Sequence, residues 1–327
     1  MINFQYVRTS VIKTALSLIG KDPKSTFIAG GTNLVDLMKR GVTAPEKLID
    51  INYLPLKKIE LINNVLHVGA LTSNSALAEN LIVRDKFPLL MMALQAGASA
   101  QLRNVATVGG NMMQRTRCGY FYDTTMPCNK RNPGTGCAAI GGYNRMHAIF
   151  GTSESCIAVH PSDMCVALVA LAAKVVIANS KGERKINFID FHRLAGTTPE
   201  KDNNLQKGEL IVRLEIPINN LNKNFHYLKV RDRSSYAFAL VSVAAGLDIQ
   251  NNIISNVCLA MGGVAHKPWR LIEAENFLKG KEPTASNFTE AAKIAMNTAK
   301  GYGENNFKLK MAPNSIIEAL TVAKAKA

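Results

Sequence analysis

From Met164 to Ala178 every position is apolar except Lys174. The run predicts a helix over Met164–Ala173 and a strand over Lys174–Ala178, and it is too short for a bilayer-spanning helix. Earlier, Ser25–Ala29 is a short β-like run. It enters the turn Gly30–Gly31–Thr32–Asn33 and continues as a helix over Leu34–Lys39. Lys47–Asp50 and Leu66–Val68 read as strands, and Lys86–Gln101 as one buried helix. Glu209–Pro217 alternates and ends in Pro, as a strand exit does. Phe225–Arg231 and Ala237–Asp248 read as strands or a strand–helix pair, Ile253–Gly262 as a strand, and the chain from Thr284 onward as helical. Boundaries near 58 and 222 divide the chain into 1–58, 59–221 and 222–327.

One segment follows neither period. Arg115–Gly151 is rich in Gly, Pro, Asn and Arg, and an irregular stretch of this length in a compact domain is either functional or disordered. Four of the six cysteines, Cys118, Cys128, Cys137 and Cys156, lie in or just beyond it. In a long chain with no visible signal peptide, such clustering favours metal binding over disulfides. The spacing holds no C-x2–4-C knuckle, which favours a [4Fe–4S] cluster but leaves zinc open. Cys165 and Cys258 lie in apolar runs and read as core residues.

The hydrophobic content of 47% is ample for a core. A net charge of +15 admits a nucleic acid, an acidic partner or an anionic cofactor. The cations are scattered, with no basic helix, zinc finger or aromatic-basic motif, so a basic face toward an acidic partner is preferred over nucleic acid.

Two Gly-Gly turns carry candidate chemistry: Ile28-Ala29-Gly30-Gly31-Thr32-Asn33-Leu34 and Thr107-Val108-Gly109-Gly110-Asn111. Glycines let the backbone approach a phosphate, and amide N–H groups with a hydroxyl can bind it; an ordinary tight turn is the alternative. No G-x-G-x-x-G or P-loop is present, which points away from Rossmann and NTPase folds. Asp163, in His160-Pro161-Ser162-Asp163, is a candidate for a ribityl or ribose hydroxyl and equally a helix N-cap. Lys229, Arg231 and Arg233 are candidate cations for an anionic reduced flavin, or a solvated loop.

Taken together, FIAGGTNL, QLRNVATVGGN, HPSD, LIVRLEIP, KVRDR and MGGVAHKPWR resemble the FAD-binding subunit of the xanthine dehydrogenase/molybdenum hydroxylase family over essentially the whole chain. The cysteine loop resembles the branch of bacterial periplasmic aldehyde oxidoreductases. The resemblance implies an α+β fold. Two FAD-binding subdomains of the vanillyl-alcohol-oxidase type (1–58 and 59–221, with the cysteine loop at 115–157) would precede a C-terminal α/β domain like that of CO dehydrogenase flavoproteins. It implies FAD held by Phe27–Leu34 and Thr107–Asn111, with Asp163 as the acidic contact and Ile211 and Lys229 further along the flavin. It implies a [4Fe–4S] cluster on Cys118, Cys128, Cys137 and Cys156.

Asn33 stands where many relatives carry an acidic residue, and most xanthine dehydrogenases lack the cysteine loop. The implied partners are a molybdenum-cofactor large subunit, a [2Fe–2S] small subunit and an external electron acceptor. The implied location is the periplasm by co-export with a signal-bearing partner, or the cytoplasm. A stand-alone flavin reductase or oxidase, and a basic metal-binding protein on nucleic acid, are the rival readings.

Overall fold

A computed structural model of the protein describes residues 1–326. The N-terminal lobe is a parallel sheet of β1 (Gln5–Arg8), β2 (Ser25–Ile28) and β3 (Lys47–Asp50), in the order β1-β3-β2. Helix α1 (Ile12–Lys21) and helix α2 (Leu34–Lys39) make its connections. The middle lobe is an antiparallel sheet of β4 (Ile59–Ile62), β5 (Val65–Gly69), β6 (Lys174–Asn179), β7 (Gly182–Asn187) and β8 (Leu210–Pro217), ordered β4-β5-β8-β6-β7. Between β5 and β6 the chain runs through α3 (Asn74–Glu79), α4 (Leu81–Lys86), α5 (Pro88–Ala96), α6 (Ala100–Val105), α7 (Val108–Met112), α8 (Gly119–Tyr122) and α9 (Asp163–Ala170). Helix α10 (Phe188–Phe191) follows β7. The C-terminal lobe is an antiparallel sheet of β9 (Asn224–Val230), β10 (Val241–Gln250), β11 (Ile253–Gly262) and β12 (Trp269–Arg270), with α11 (Ile272–Leu278), α12 (Ala285–Ala295) and α13 (Lys308–Lys324).

The apolar runs of β10 and β11 have a physical reason. Side chains alternate between the faces of a strand. Val241, Val243, Ala245 and Leu247, with Val257, Leu259 and Met261, pack with α11, α12 and α13. The intervening Ala244, Cys258 and Ala260 join the core of α5 and α9. The sheet is therefore buried on both faces and cements the C-terminal lobe to the middle one.

The apolar stretch at Met164 is helix α9 followed by β6, close to the sequence reading. Its N-cap is Ser162, whose hydroxyl accepts from Cys165 N at 3.1 Å; Asp163 is the first helical residue and not the cap. The stretch Lys86–Gln101 is not one helix. It breaks at Gly97–Ala98, where Ala98 takes a left-handed φ of 52°. The break leaves the last carbonyls of α5 without helical partners. Cations supply them: Arg103 Nη1 donates to Gly97 O at 2.8 Å, and Lys229 Nζ and Arg231 Nη1 donate to Ala96 O at 2.9 and 3.3 Å.

Candidate FAD and iron–sulfur site

A continuous cleft runs between the lobes. One end is lined by Phe27–Leu34, Gly109, Gly110 and the Leu205–Ile211 segment. Thr32, Asn33 and Gly110 continue into a middle stretch lined by Asn111, Asp163 and Lys229. Arg117, Ser162, Asp163 and Phe238 lead on to the far end, beside Cys118, Tyr120 and His147.

The two Gly-Gly turns are built against each other. A Cβ on Gly30 would lie 2.1 Å from Val105 O, and Gly31 holds a left-handed φ of 69°. They differ in chemistry, although the sequence makes them look alike. Among the described residues, the backbone N–H groups of Gly30, Gly31, Thr32 and Asn33 have no hydrogen-bond partner. The second turn lies within α7, and its amides are committed. Val108 N donates to Thr72 O, Gly109 N to Ala70 O, Gly110 N to Thr107 Oγ1 and Asn111 N to Thr107 O. The first turn is thus a nest of free donors suited to an anion. The second contributes bare backbone: a Cβ on Gly110 would touch only Thr107 Oγ1, at 2.9 Å. Val108 is fully buried in the middle-lobe core, so its side chain does not face the cleft.

Asp163 and Lys229 meet each other. Lys229 Nζ lies 2.8 Å from Asp163 Oδ2, and Tyr227 donates to Asp163 Oδ1 at 2.8 Å. Lys229 is therefore already neutralised, which weakens its reading as the cation for an anionic flavin. Ile211 lines one end of the cleft and Lys229 its middle stretch. Asn33 Oδ1 accepts from Arg115 N at 2.9 Å and ties the first turn to the start of the cysteine loop. Arg117, which the sequence reading passed over, is mostly buried in the cleft. Burial pushes its guanidinium pKa down, and no carboxylate pairs with it among the described residues. Only its place beside Cys118 could have drawn attention to it.

Cys118, Cys128, Cys137 and Cys156 line one small recess, with Lys130 and His147. Cys128 and Cys137 face each other across an antiparallel bridge, and Ser153 and Cys156 form a second. All four are free thiols. Burial holds the Cys118 thiol up at about 11, and the hydrogen bond with Cys137, with burial behind it, pushes up Cys156. That hydrogen bond pulls Cys137 down to about 6. Without a cation, the buried Cys118 and Cys156 sulfurs stay protonated.

The loop is better anchored than its composition suggests. Phe121, Ile149 and Phe150 are fully buried, and Phe150 stacks on Trp269 at 5.4 Å between centroids. A half-buried ion cluster, with Lys130 at its buried centre, holds it as well. Lys130 Nζ pairs with Asp202 and donates to Pro199 O at 2.8 Å, while Arg115 Nε lies 2.7 Å from Asp202 Oδ2. Burial alone would raise the Asp202 carboxyl, but Lys130 and Arg115 outweigh it and hold it at about 2. A folded value below that of an unfolded Asp, near ~3.9, gives stability that is full above about pH 4 and lost as pH falls toward 2. Asp202→Asn would leave the buried Lys130 ammonium without a carboxylate, held only by Pro199 O and His266 Nε2, a loss of about 3 kcal/mol at pH 7. Urea melts at pH 7 should show that loss, with the gap to wild type narrowing in acid; equal midpoints at pH 7 would contradict the clamp.

His160, Cys165 and His192 also converge, with ligand atoms within 4.8 Å of one another. They read as core. His192 Nε2 donates to Met112 O at 2.9 Å, burial pushes the Cys165 thiol up to about 12, and no fourth such residue joins them among the described residues.

The three-lobed fold encloses a donor-lined cleft suited to an anionic dinucleotide, and the family matches make the chain a flavoprotein subunit. The family model described as the FAD binding domain in molybdopterin dehydrogenase matches residues 2–219, and that of the CO dehydrogenase flavoprotein C-terminal domain matches 226–321. The chain belongs to the FAD-binding subunits of the molybdenum hydroxylase family. It is 46% identical to the aldehyde oxidoreductase FAD-binding subunit PaoB of Escherichia coli K12, over 99% of each chain. It is 30% identical to the glyceraldehyde dehydrogenase medium chain of Sulfolobus acidocaldarius, over 85% of this chain and 82% of the relative. Carbon monoxide dehydrogenase from Hydrogenophaga pseudoflava, solved without the Mo-pyranopterin moiety of its cofactor, has the same fold. Its TM-score is 0.79 at 24% identity, with all of both chains covered. The α+β fold with a CO-dehydrogenase-type C-terminal domain is as the sequence implied. No helix among the described residues is long and apolar enough to cross a membrane.

Proposed function

We propose that this chain is the FAD- and [4Fe–4S]-carrying electron-transfer subunit of a molybdenum-dependent aldehyde oxidoreductase. Its partners would be a molybdenum-cofactor large subunit and a [2Fe–2S] small subunit. Electrons would arrive from the [2Fe–2S] clusters and leave to an external acceptor. The three sequence segments, 1–58, 59–221 and 222–327, would serve as two FAD-binding subdomains and a C-terminal flavoprotein domain. The 46% identity to a FAD-binding subunit of an aldehyde oxidoreductase supports the substrate class.

FAD fits the cleft, and the four free amides of Gly30–Asn33 carry that reading. They would receive the pyrophosphate, with Thr32 exposed beside them and Gly110 leaving room opposite. Phe27, Ile28, Ala29 and Leu34 would shape the turn. Thr107 would cap α7 so that Gly109 and Asn111 border the cofactor, while Val108, fully buried, packs beneath them. Ile211 would border the adenosine end. Asp163, steadied by Lys229 and Tyr227, would accept from hydroxyls toward the flavin end. Arg117 would supply the positive charge that Lys229 has spent on Asp163.

The four cysteines fit a cluster better than one zinc ion. The described residues bring no three of their sulfurs within 4.8 Å of one another. Four sulfurs each ~2.3 Å from a single zinc would lie only ~3.8 Å apart. When bound, FAD would exchange one or two electrons and the cluster one, while the protein supplies binding, orientation and electrostatics. The absorption spectrum of the full chain tests the reading. Flavin bands with a broad shoulder near ~400 nm are expected. A colourless protein would favour the rival, a basic metal-binding protein on nucleic acid.

A further inference from the structure

The recess and the cleft share a wall. Cys118 and His147 line both the cysteine recess and the far end of the interlobe cleft. His147 Nε2 lies 3.1 Å from Cys118 Sγ. The imidazole is 6% exposed, and its Nδ1 is buried without a partner. Only one of the two neutral tautomers suits this placement. A proton on Nδ1 would be a buried donor with nothing to accept it. A proton on Nε2 points at sulfur and leaves Nδ1 as a bare acceptor, the lesser burden.

The C-terminal lobe and Asn144 fix the His147 backbone. Lys308, fully buried, donates through Nζ to His147 O at 2.9 Å and to Gly263 O at 2.7 Å. Asn305 Nδ2 donates to His147 O at 3.4 Å, and His147 N donates to Asn144 O at 2.9 Å. These bonds leave the backbone little freedom to carry the imidazole away from the sulfur.

We propose that His147 is a positioning residue that donates an Nε2–H hydrogen bond to the Cys118 sulfur and so raises the reduction potential of the cluster from its flavin-facing side. The inference rests on the cluster reading above. A hydrogen bond to a ligating sulfur withdraws charge from it and stabilises the reduced, more negative cluster. The other three cysteines have no imidazole against them among the described hydrogen bonds, so Cys118 is singled out on the side that meets the cleft.

The test is an EPR-monitored redox titration of the anaerobically purified full chain, with iron and FAD measured on the same samples. His147→Leu removes the donor but fills the space. His147→Gln places an amide N–H where Nε2 stood. The expected result is wild-type iron and FAD in both, a more negative cluster potential in His147→Leu, and a return toward wild type in His147→Gln. An unchanged potential in His147→Leu would overturn the proposal. If His147→Leu fails to hold iron, His147→Gln decides. A cluster of wild-type potential supports the donor role, and a cluster at a markedly more negative potential refutes it. A wild-type chain without iron would sink the cluster reading itself, which is separate from a cluster indifferent to His147.

Discussion

The Gly110→Val chain should purify folded and without flavin. Gly110 is exposed at the cleft where the two Gly-Gly turns face each other, and its Cβ would meet no backbone, only the Thr107 hydroxyl at 2.9 Å. The structural cost is therefore limited to disturbing one helix cap, about 1 kcal/mol. The cost to binding is far larger, because branched carbons occupy the space where the pyrophosphate must approach the free amides of Gly30–Asn33. FAD content should fall at least about tenfold, which from a site about nine-tenths filled needs roughly a ninetyfold loss of affinity, ~2.7 kcal/mol. The comparison with Gly30 sharpens the point. Any side chain at Gly30 collides with Val105 O, so loss of flavin there would report a broken packing contact. Near-normal flavin in Gly110→Val, with an unchanged circular dichroism spectrum, would remove this turn from the site.

Cys128→Ser and Cys137→Ser should each lose most of the iron and acid-labile sulfide, while Cys258→Ser keeps both. A hydroxyl is a poor substitute for a soft thiolate toward iron. Cys128 and Cys137 lie opposite each other in the recess, whereas Cys258 is buried in β11, against α5 and α9. Flavin should remain in all three. Loss of the cluster should speed proteolysis within 123–145 first, because Phe121, Ile149 and Phe150 anchor the flanks whether or not iron is bound. Retained iron in Cys128→Ser, or lost iron in Cys258→Ser, would overturn the ligand set.

Much of this arrangement could be read along the chain, for reasons that differ by residue. Strand β11 was legible and β10 half so, left between strand and strand–helix pair, because burial on both faces makes them largely apolar. Helix α9 was legible for the same reason. Strand β7, GERKIN, was not, because it is a sheet edge with mostly exposed side chains and no apolar face to betray it. Strands β1 and β4 carry similarly mixed patterns. The hairpins β4–β5 and β10–β11 did leave a signal. Asn63–Asn64 and Asn251–Asn252 all take left-handed φ, which Asn tolerates and tight hairpins require.

The break in α5–α6 was hidden, since Gly97 and Ala98 fit a helical pattern and only the tertiary cations from Arg103, Lys229 and Arg231 make the break tolerable. At the cleft, the glycines and cysteines announced themselves by type and spacing. Partnerships did not. That Lys229 is spent on Asp163, that Arg117 has no carboxylate partner among the described residues, and that Lys130 clamps Asp202 all depend on residues brought together from distant segments.

One measurement bears most directly on the account: FAD, iron, acid-labile sulfide and zinc per chain in the full-length protein made anaerobically with iron in excess. The account predicts about one FAD, about four iron and about four sulfide, with zinc absent. Zinc in place of iron, or flavin alone with the four cysteines reactive toward a thiol reagent, would contradict it.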